Sequence, residues 1–204
     1  MKTVTRRITR DELGSFNLAA RSLLPILAAM AKFTLESLWI TGGALRSQLV
    51  NPGKSYYRDI DIIFFNRQEK SEAYERDIET LLTSDTGITC LSVKNQARVN
   101  GYVDTVRYGS VFESVDNFPD NSVAIGLQLK RDIFHFYVPY GTSAAAEKTI
   151  QPTRAFLRHH SLAEYYCWVD RKKYASKLSD WRVVSTPCHL QKGRKFLNLQ
   201  GLDG

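Results

Sequence analysis

The sequence predicts an α/β (α+β) fold, a mixed sheet flanked by helices, with an N-terminal helix and a C-terminal helical lobe. Three observations predict it. Residues 59–65, Asp-Ile-Asp-Ile-Ile-Phe-Phe, form a short apolar run of strand length, rich in β-branched and aromatic residues. Leu13, Phe16, Ala20, Leu23, Leu24 and Leu27 recur at near-helical spacing. Strand-like and helix-like segments then mix along the chain, and such a mixture packs as layers of sheet and helix.

Taken in order, Thr9-Arg10-Asp11-Glu12 has the form of a capping box and starts the first helix. Pro25 should kink or split that helix, because it removes a backbone donor and clashes with the preceding turn. The short run Leu38-Trp39-Ile40 stops at Thr41-Gly42-Gly43. Residues 44–50 read as one or two helical turns, closed by the breaker Asn51-Pro52-Gly53. Residues 71–82 read as an amphipathic helix and residues 88–93 as a strand. Residues 122–129 and 133–138 read as two strands joined by Lys130-Arg131-Asp132, a hairpin. A helical stretch is expected over 154–178, a short strand over 181–184, and no clear pattern beyond 185. No internal repeat is present. A single domain is expected over 1–204, with its core at 38–150, a helical lobe at 151–184 and a tail at 185–204.

The 204 residues are 43% hydrophobic and 24% charged, enough for a full core and unlike a disordered chain. No apolar run approaches the ~18 residues a bilayer span needs. The basic first residues are not followed by an apolar segment and a small-residue cleavage site, so no signal peptide is expected. Cys90, Cys167 and Cys188 lie far apart and form neither a disulfide framework nor a zinc-site spacing. A reducing, cytoplasmic setting fits them. The net charge of +7 suits an anionic partner such as a nucleotide, RNA or an acidic protein. His135, His159, His160 and His189 lack metal-ligand spacing and read as structural. Tyr165, Tyr166 and Trp168 read as a buried helix face.

The chemistry centres on two segments. Asp59 and Asp61, two apart on a strand, point the same way. Like charges on one face repel, and a divalent cation relieves that penalty. Magnesium is usually held by one or two carboxylates together with substrate phosphates. Gly42-Gly43 ends an apolar run and opens a helix, so backbone amides can face an anion. Arg46 lies one turn further on, within reach of the same phosphates.

The order Trp39-Ile40-Thr41-Gly42-Gly43-Ala44-Leu45-Arg46, then Arg58-Asp59-Ile60-Asp61-Ile62-Ile63-Phe64-Phe65, resembles the polymerase-β-type nucleotidyltransferase superfamily. More narrowly, it is similar to a bacterial nucleotidyltransferase-like family that was formerly a domain of unknown function. Val93-Lys94-Asn95-Gln96-Ala97-Arg98-Val99, Ser122-Val123-Ala124-Ile125-Gly126, Val138-Pro139-Tyr140-Gly141 and Trp181 extend the resemblance over residues 38–184. It implies that Gly42 and Gly43 hold nucleotide phosphates, that Asp59 and Asp61 hold magnesium, and that Asn95 and Arg98 lie near the pocket. It also implies a third carboxylate from a neighbouring strand, for which Asp104 and Asp132 are the candidates. Thr142-Ser143-Ala144-Ala145-Ala146 stands where that family continues with leucine and an aspartate.

The expected function is therefore magnesium-dependent transfer of a nucleoside monophosphate from an NTP to a hydroxyl on RNA, protein or a small molecule. Two rival readings remain, one resting on the positive surface and the other on the basic helical lobe. One is a catalytically impaired binding module for RNA or an acidic protein. The other is a toxin-like or regulatory transferase acting on tRNA or a protein.

Overall fold

The computed structural model describes residues 8–31, 38–65, 68–96, 110–170, 178–191 and 196–200. Helices α1 (Arg10–Ser22) and α2 (Leu24–Met30) precede strand β1 (Trp39–Thr41), which runs directly into helix α3 (Gly42–Val50). Strands β2 (Tyr56–Tyr57) and β3 (Ile60–Ile63) are followed by helix α4 (Gln68–Asp85), then β4 (Thr89–Cys90) and β5 (Val93–Asn95). Helix α5 (Val111–Asp116) leads to the hairpin β6 (Gly126–Lys130) and β7 (Ile133–Tyr137). The lobe that follows holds α6 (Ser143–Ala146), β8 (Thr149–Ile150), a 3₁₀ turn (Phe156–Arg158), α7 (Leu162–Asp170) and β9 (Arg182–Val183), and β10 (Phe196–Gln200) comes last.

Among the described residues, six strands make one sheet in the order β10-β7-β6-β1-β3-β5. Every pairing in it is antiparallel except β3 with β5, which is parallel. The mixed sheet expected from the sequence is the observed one.

Local chemistry explains the elements that frame it. Thr9 and Glu12 form the reciprocal capping box that begins α1. The break falls at Leu23, which places Pro25 in the first turn of α2, where no backbone donor is needed. The two helix axes then differ by 55°. After α3, the Gln48 side chain accepts from the Gly53 amide and donates to the Lys54 carbonyl, both at 2.8 Å, which fixes the Asn51-Pro52-Gly53 turn. Arg131 and Asp132 both have positive φ, 50° and 59°, as a two-residue hairpin turn matched to strand twist requires.

The sheet has two covered faces. Ile60, Ile62 and Phe64 join the largest core with Phe16, Leu23, Ile26, Leu45, Ile78 and Leu82 from the helices. Ile63 points the other way and packs with Trp39, Val115, Phe118 and Tyr137. Tyr165, Val169, Leu178, Trp181 and Ile150 form a third cluster in the lobe, with Tyr166 and Trp168 against it. That cluster accounts for the aromatic face expected of α7. No single helix among the described residues is long and apolar enough to cross a membrane.

Four expectations need correction. The strand foreseen at 88–93 is two pieces: Thr89–Cys90 pairs with Tyr56–Tyr57, and Val93–Asn95 joins the main sheet. Residues 122–125 are not strand, because the Asp120 carboxylate accepts from the Ser122 amide at 2.8 Å, the Ser122 hydroxyl at 2.6 Å and the Val123 amide at 3.3 Å. That local turn outcompetes pairing. The long helix foreseen from 154 is instead a 3₁₀ turn and a separate α7, which Ser161 and Glu164 cap from both sides. Finally, β10 was not foreseen. It pairs along its whole length with β7.

Candidate active site

The β1–α3 junction sets the geometry. Thr41 ends β1 in an extended conformation, and its hydroxyl does not cap the helix that follows. Gly42 adopts φ +69°, and a Cβ there would lie 2.9 Å from Asp61 Cγ and 3.0 Å from Asp61 Cβ. Only glycine meets both demands, the left-handed backbone and the close approach. The Gly43 amide then donates to Asp61 Oδ2 at 3.3 Å, so the N-terminus of α3 faces a carboxylate.

Strand register places the neighbours. Tyr137, Gly126, Thr41, Asp61 and Lys94 are successive Cα partners across β7, β6, β1, β3 and β5. Paired residues share a face, so Asp61 stands between Thr41 and Lys94. Asp59, two residues earlier, lies on the same side. Lys94 Nζ is 3.1 Å from Asp59 Oδ2, and Gln96 Nε2 donates to Asp61 Oδ1. Thr41 Oγ1 is buried and has no hydrogen-bond partner among the described residues.

Beside the acids opens a cavity of about 280 Å³. Gly43, Arg46, Lys54, Arg58 and Asp59 line it, and Leu178 and Trp181 wall it from the lobe. Three cations and one carboxylate make it net positive, which suits an anion. Arg46 is itself 8% exposed and acts electrostatically on the fully buried Asp120. Burial pushes the Asp120 carboxyl up, and the Arg46 guanidinium and the Ser122 and Val123 donors pull it partly back. Cys188 nearby is pushed up to about 12, by burial first and by Asp120 second.

Of the residues expected in the site, Gly42, Gly43 and Asp61 come together, and Gly43, Arg46 and Asp59 share the cavity wall. Asn95 is buried, and its side-chain amide donates to the Phe64 carbonyl at 3.0 Å and accepts from the Phe64 amide at 3.4 Å. It thus ties the end of β3 to β5. Arg98 and Asp104 lie outside the described residues. Asp132 is at the tip of the β6–β7 hairpin, whereas the opposite end of β6 pairs with Thr41. At ~3.3 Å per residue it stands roughly 20 Å from the acids, too far to share their metal. Lys94, Gln96, Lys54 and Arg58 had not been assigned to the site. Lys94 and Gln96 flank Asn95 in the sequence, but only the β3–β5 register shows which way Lys94 faces, and only the bond to Asp61 places Gln96.

The residues fit a divalent metal. Asp61 lies so close to Gly42 that no Cβ fits between them, Asp59 precedes it by two residues on the same side, and the buried Thr41 hydroxyl beside Asp61 has no partner among the described residues. Among the described residues no group of three or more His, Cys, Asp or Glu could hold an ion. Two carboxylates with water and substrate phosphates are a usual ligand set for magnesium.

The fold is similar to that of a solved structure described as a CCA-adding enzyme head domain, with a TM-score of 0.66 and 22% sequence identity. The match covers 89% of this chain and 98% of that one. No curated protein matches the sequence significantly. A family profile described as nucleotidyltransferase matches residues 28–184, which hold the glycine turn, both acids and the cavity wall. The chain belongs to this nucleotidyltransferase family.

Proposed function

We propose that this chain moves a nucleoside monophosphate from an NTP to an acceptor hydroxyl, releasing pyrophosphate, with magnesium held by Asp59 and Asp61. The observation that carries the reading is the contact between Gly42 and Asp61, which sets a helix N-terminus, an acid pair and a cationic cavity side by side. Arg46, Lys54 and Arg58 would draw the triphosphate into the cavity, and the start of α3 would hold its oxygens. Trp181 and Leu178 would offer an apolar wall to the nucleoside. Asp59 and Asp61 would hold the metal, which neutralises charge building on the phosphoryl oxygens. The acceptor oxygen attacks the α-phosphorus, the bond to pyrophosphate breaks, and the acceptor's proton is released. The chain's own contribution is positioning and electrostatics rather than a covalent intermediate. The acceptor hydroxyl belongs to RNA, a protein or a small molecule, and the setting is the cytoplasm.

The test is nucleotide titration with and without magnesium. Binding should strengthen with the metal in the wild-type chain, and the metal effect should vanish in Asp59→Ala with Asp61→Ala. An unchanged metal effect in that variant would remove the assigned site.

A second reading has one observation in its favour: Lys94 and Gln96 place donors on both acids. A nucleotidyltransferase-fold module that grips RNA or an acidic protein would keep such a neutralised pair. It would show steeply salt-dependent RNA binding and no labelled product from any NTP.

A further inference from the structure

We propose that Lys94 is an internal counter-cation that occupies the electrostatic place of the metal at Asp59 and must release it before a divalent ion binds tightly. The inference rests on the reading that Asp59 and Asp61 hold the metal.

Two carboxylates spaced by one residue on a strand face repel each other when no cation lies between them. The parallel pairing of β3 with β5 sets Lys94 beside Asp61 on that face, and its stem carries the ammonium back to Asp59 Oδ2 at 3.1 Å. A magnesium ion on that oxygen sits at ~2.1 Å. It would then lie within a few ångströms of Nζ, and both cations would claim the same carboxylate. The Lys94 side chain is 47% exposed against 18% for Asp59. The lysine is therefore the partner free to move, on a flexible four-carbon stem.

The experiment is titration of Mn²⁺ without nucleotide, read by electron paramagnetic resonance of the free ion. It compares the wild-type chain with Lys94→Met, Lys94→Gln and Lys94→Arg. Lys94→Met and Lys94→Gln should bind Mn²⁺ about three- to tenfold more tightly, the scale of one partly exposed charge interaction. Lys94→Arg keeps the cation and should stay near wild type. Adding Asp59→Asn to Lys94→Met should abolish the gain. Unchanged or weaker binding in both neutral variants overturns the inference, as does a gain that survives in the Asp59→Asn background. If wild type binds Mn²⁺ through Asp59 and Asp61 while the neutral variants do not differ from it, only the role of Lys94 fails. If no variant binds Mn²⁺ even with an NTP present, the metal reading fails with it.

Discussion

Gly42 and Asp61 are in such close register that a Cβ at position 42 would fall 2.9 Å from the aspartate Cγ. This contact joins the two halves of the motif, since the glycine turn exists to let the acid approach the start of α3. Gly42→Ala should therefore damage stability and function together. A left-handed backbone costs a non-glycine residue about 1–2 kcal/mol, and the clash adds to it. For a chain of this size a loss of about 2 kcal/mol lowers Tm by roughly 4–8 °C, measurable by thermal unfolding. Nucleotide affinity should fall in the same variant.

Asp59→Asn and Asp61→Asn should separate function from folding. Each removes half of a like-charged pair, so Tm should stay within a few degrees of wild type. Pyrophosphate release should fall by about 10²-fold or more, the scale on which electrostatic groups at a reacting phosphate act. A malachite-green or coupled phosphate assay with inorganic pyrophosphatase measures it.

The fold was largely legible, and the reasons differ by element. The run at 59–65 is apolar and β-branched enough to declare itself, and the capping box at Thr9 is a local signal with a local outcome. β10 was not legible because nothing local in its residues, Phe196-Leu197-Asn198-Leu199-Gln200, says what they pair with. Their partner is β7, some sixty positions earlier. The acids and glycines of the site could be read from the chain. Lys94 could not, because its role depends on parallel pairing between β3 and β5, and register across a parallel pair leaves no mark on sequence spacing. Asp120 was hidden for a different reason: it is coupled to Arg46, which a helix far earlier in the chain supplies.

Asp120 should impose a pH dependence of definite sign. Its folded carboxyl is raised by burial, so the unfolded chain gives up this proton at lower pH than the folded one. Stability from this group is therefore fully present below the ordinary carboxylate range, and it falls as pH rises toward the folded value. Asp120→Asn should flatten that part of the profile, seen as a difference from wild type in denaturant midpoints measured from pH 4 upward. Asp120→Ala should instead lose stability at every pH, by about 2–3 kcal/mol. It strips three donors in the turn at 122–123 of their acceptor.

The cysteines should react in an order set by burial. Cys167 is exposed, Cys188 is partly covered and Cys90 is buried. Cys188 is also held protonated, with its thiol pushed up to about 12. Brief alkylation near pH 8 followed by mass spectrometry should label Cys167 first and leave Cys188 and Cys90 largely unmodified, since the thiolate is the reactive form.

The most direct test of the central claim is transfer of label from α-³²P NTPs, presented one at a time with magnesium and a cell extract. A labelled product is expected from at least one nucleotide, with equimolar pyrophosphate, and it should be lost in the Asp59→Asn and Asp61→Asn variants. Nucleotide binding without labelled product from any NTP, or label transfer that persists when both acids are replaced, would contradict it.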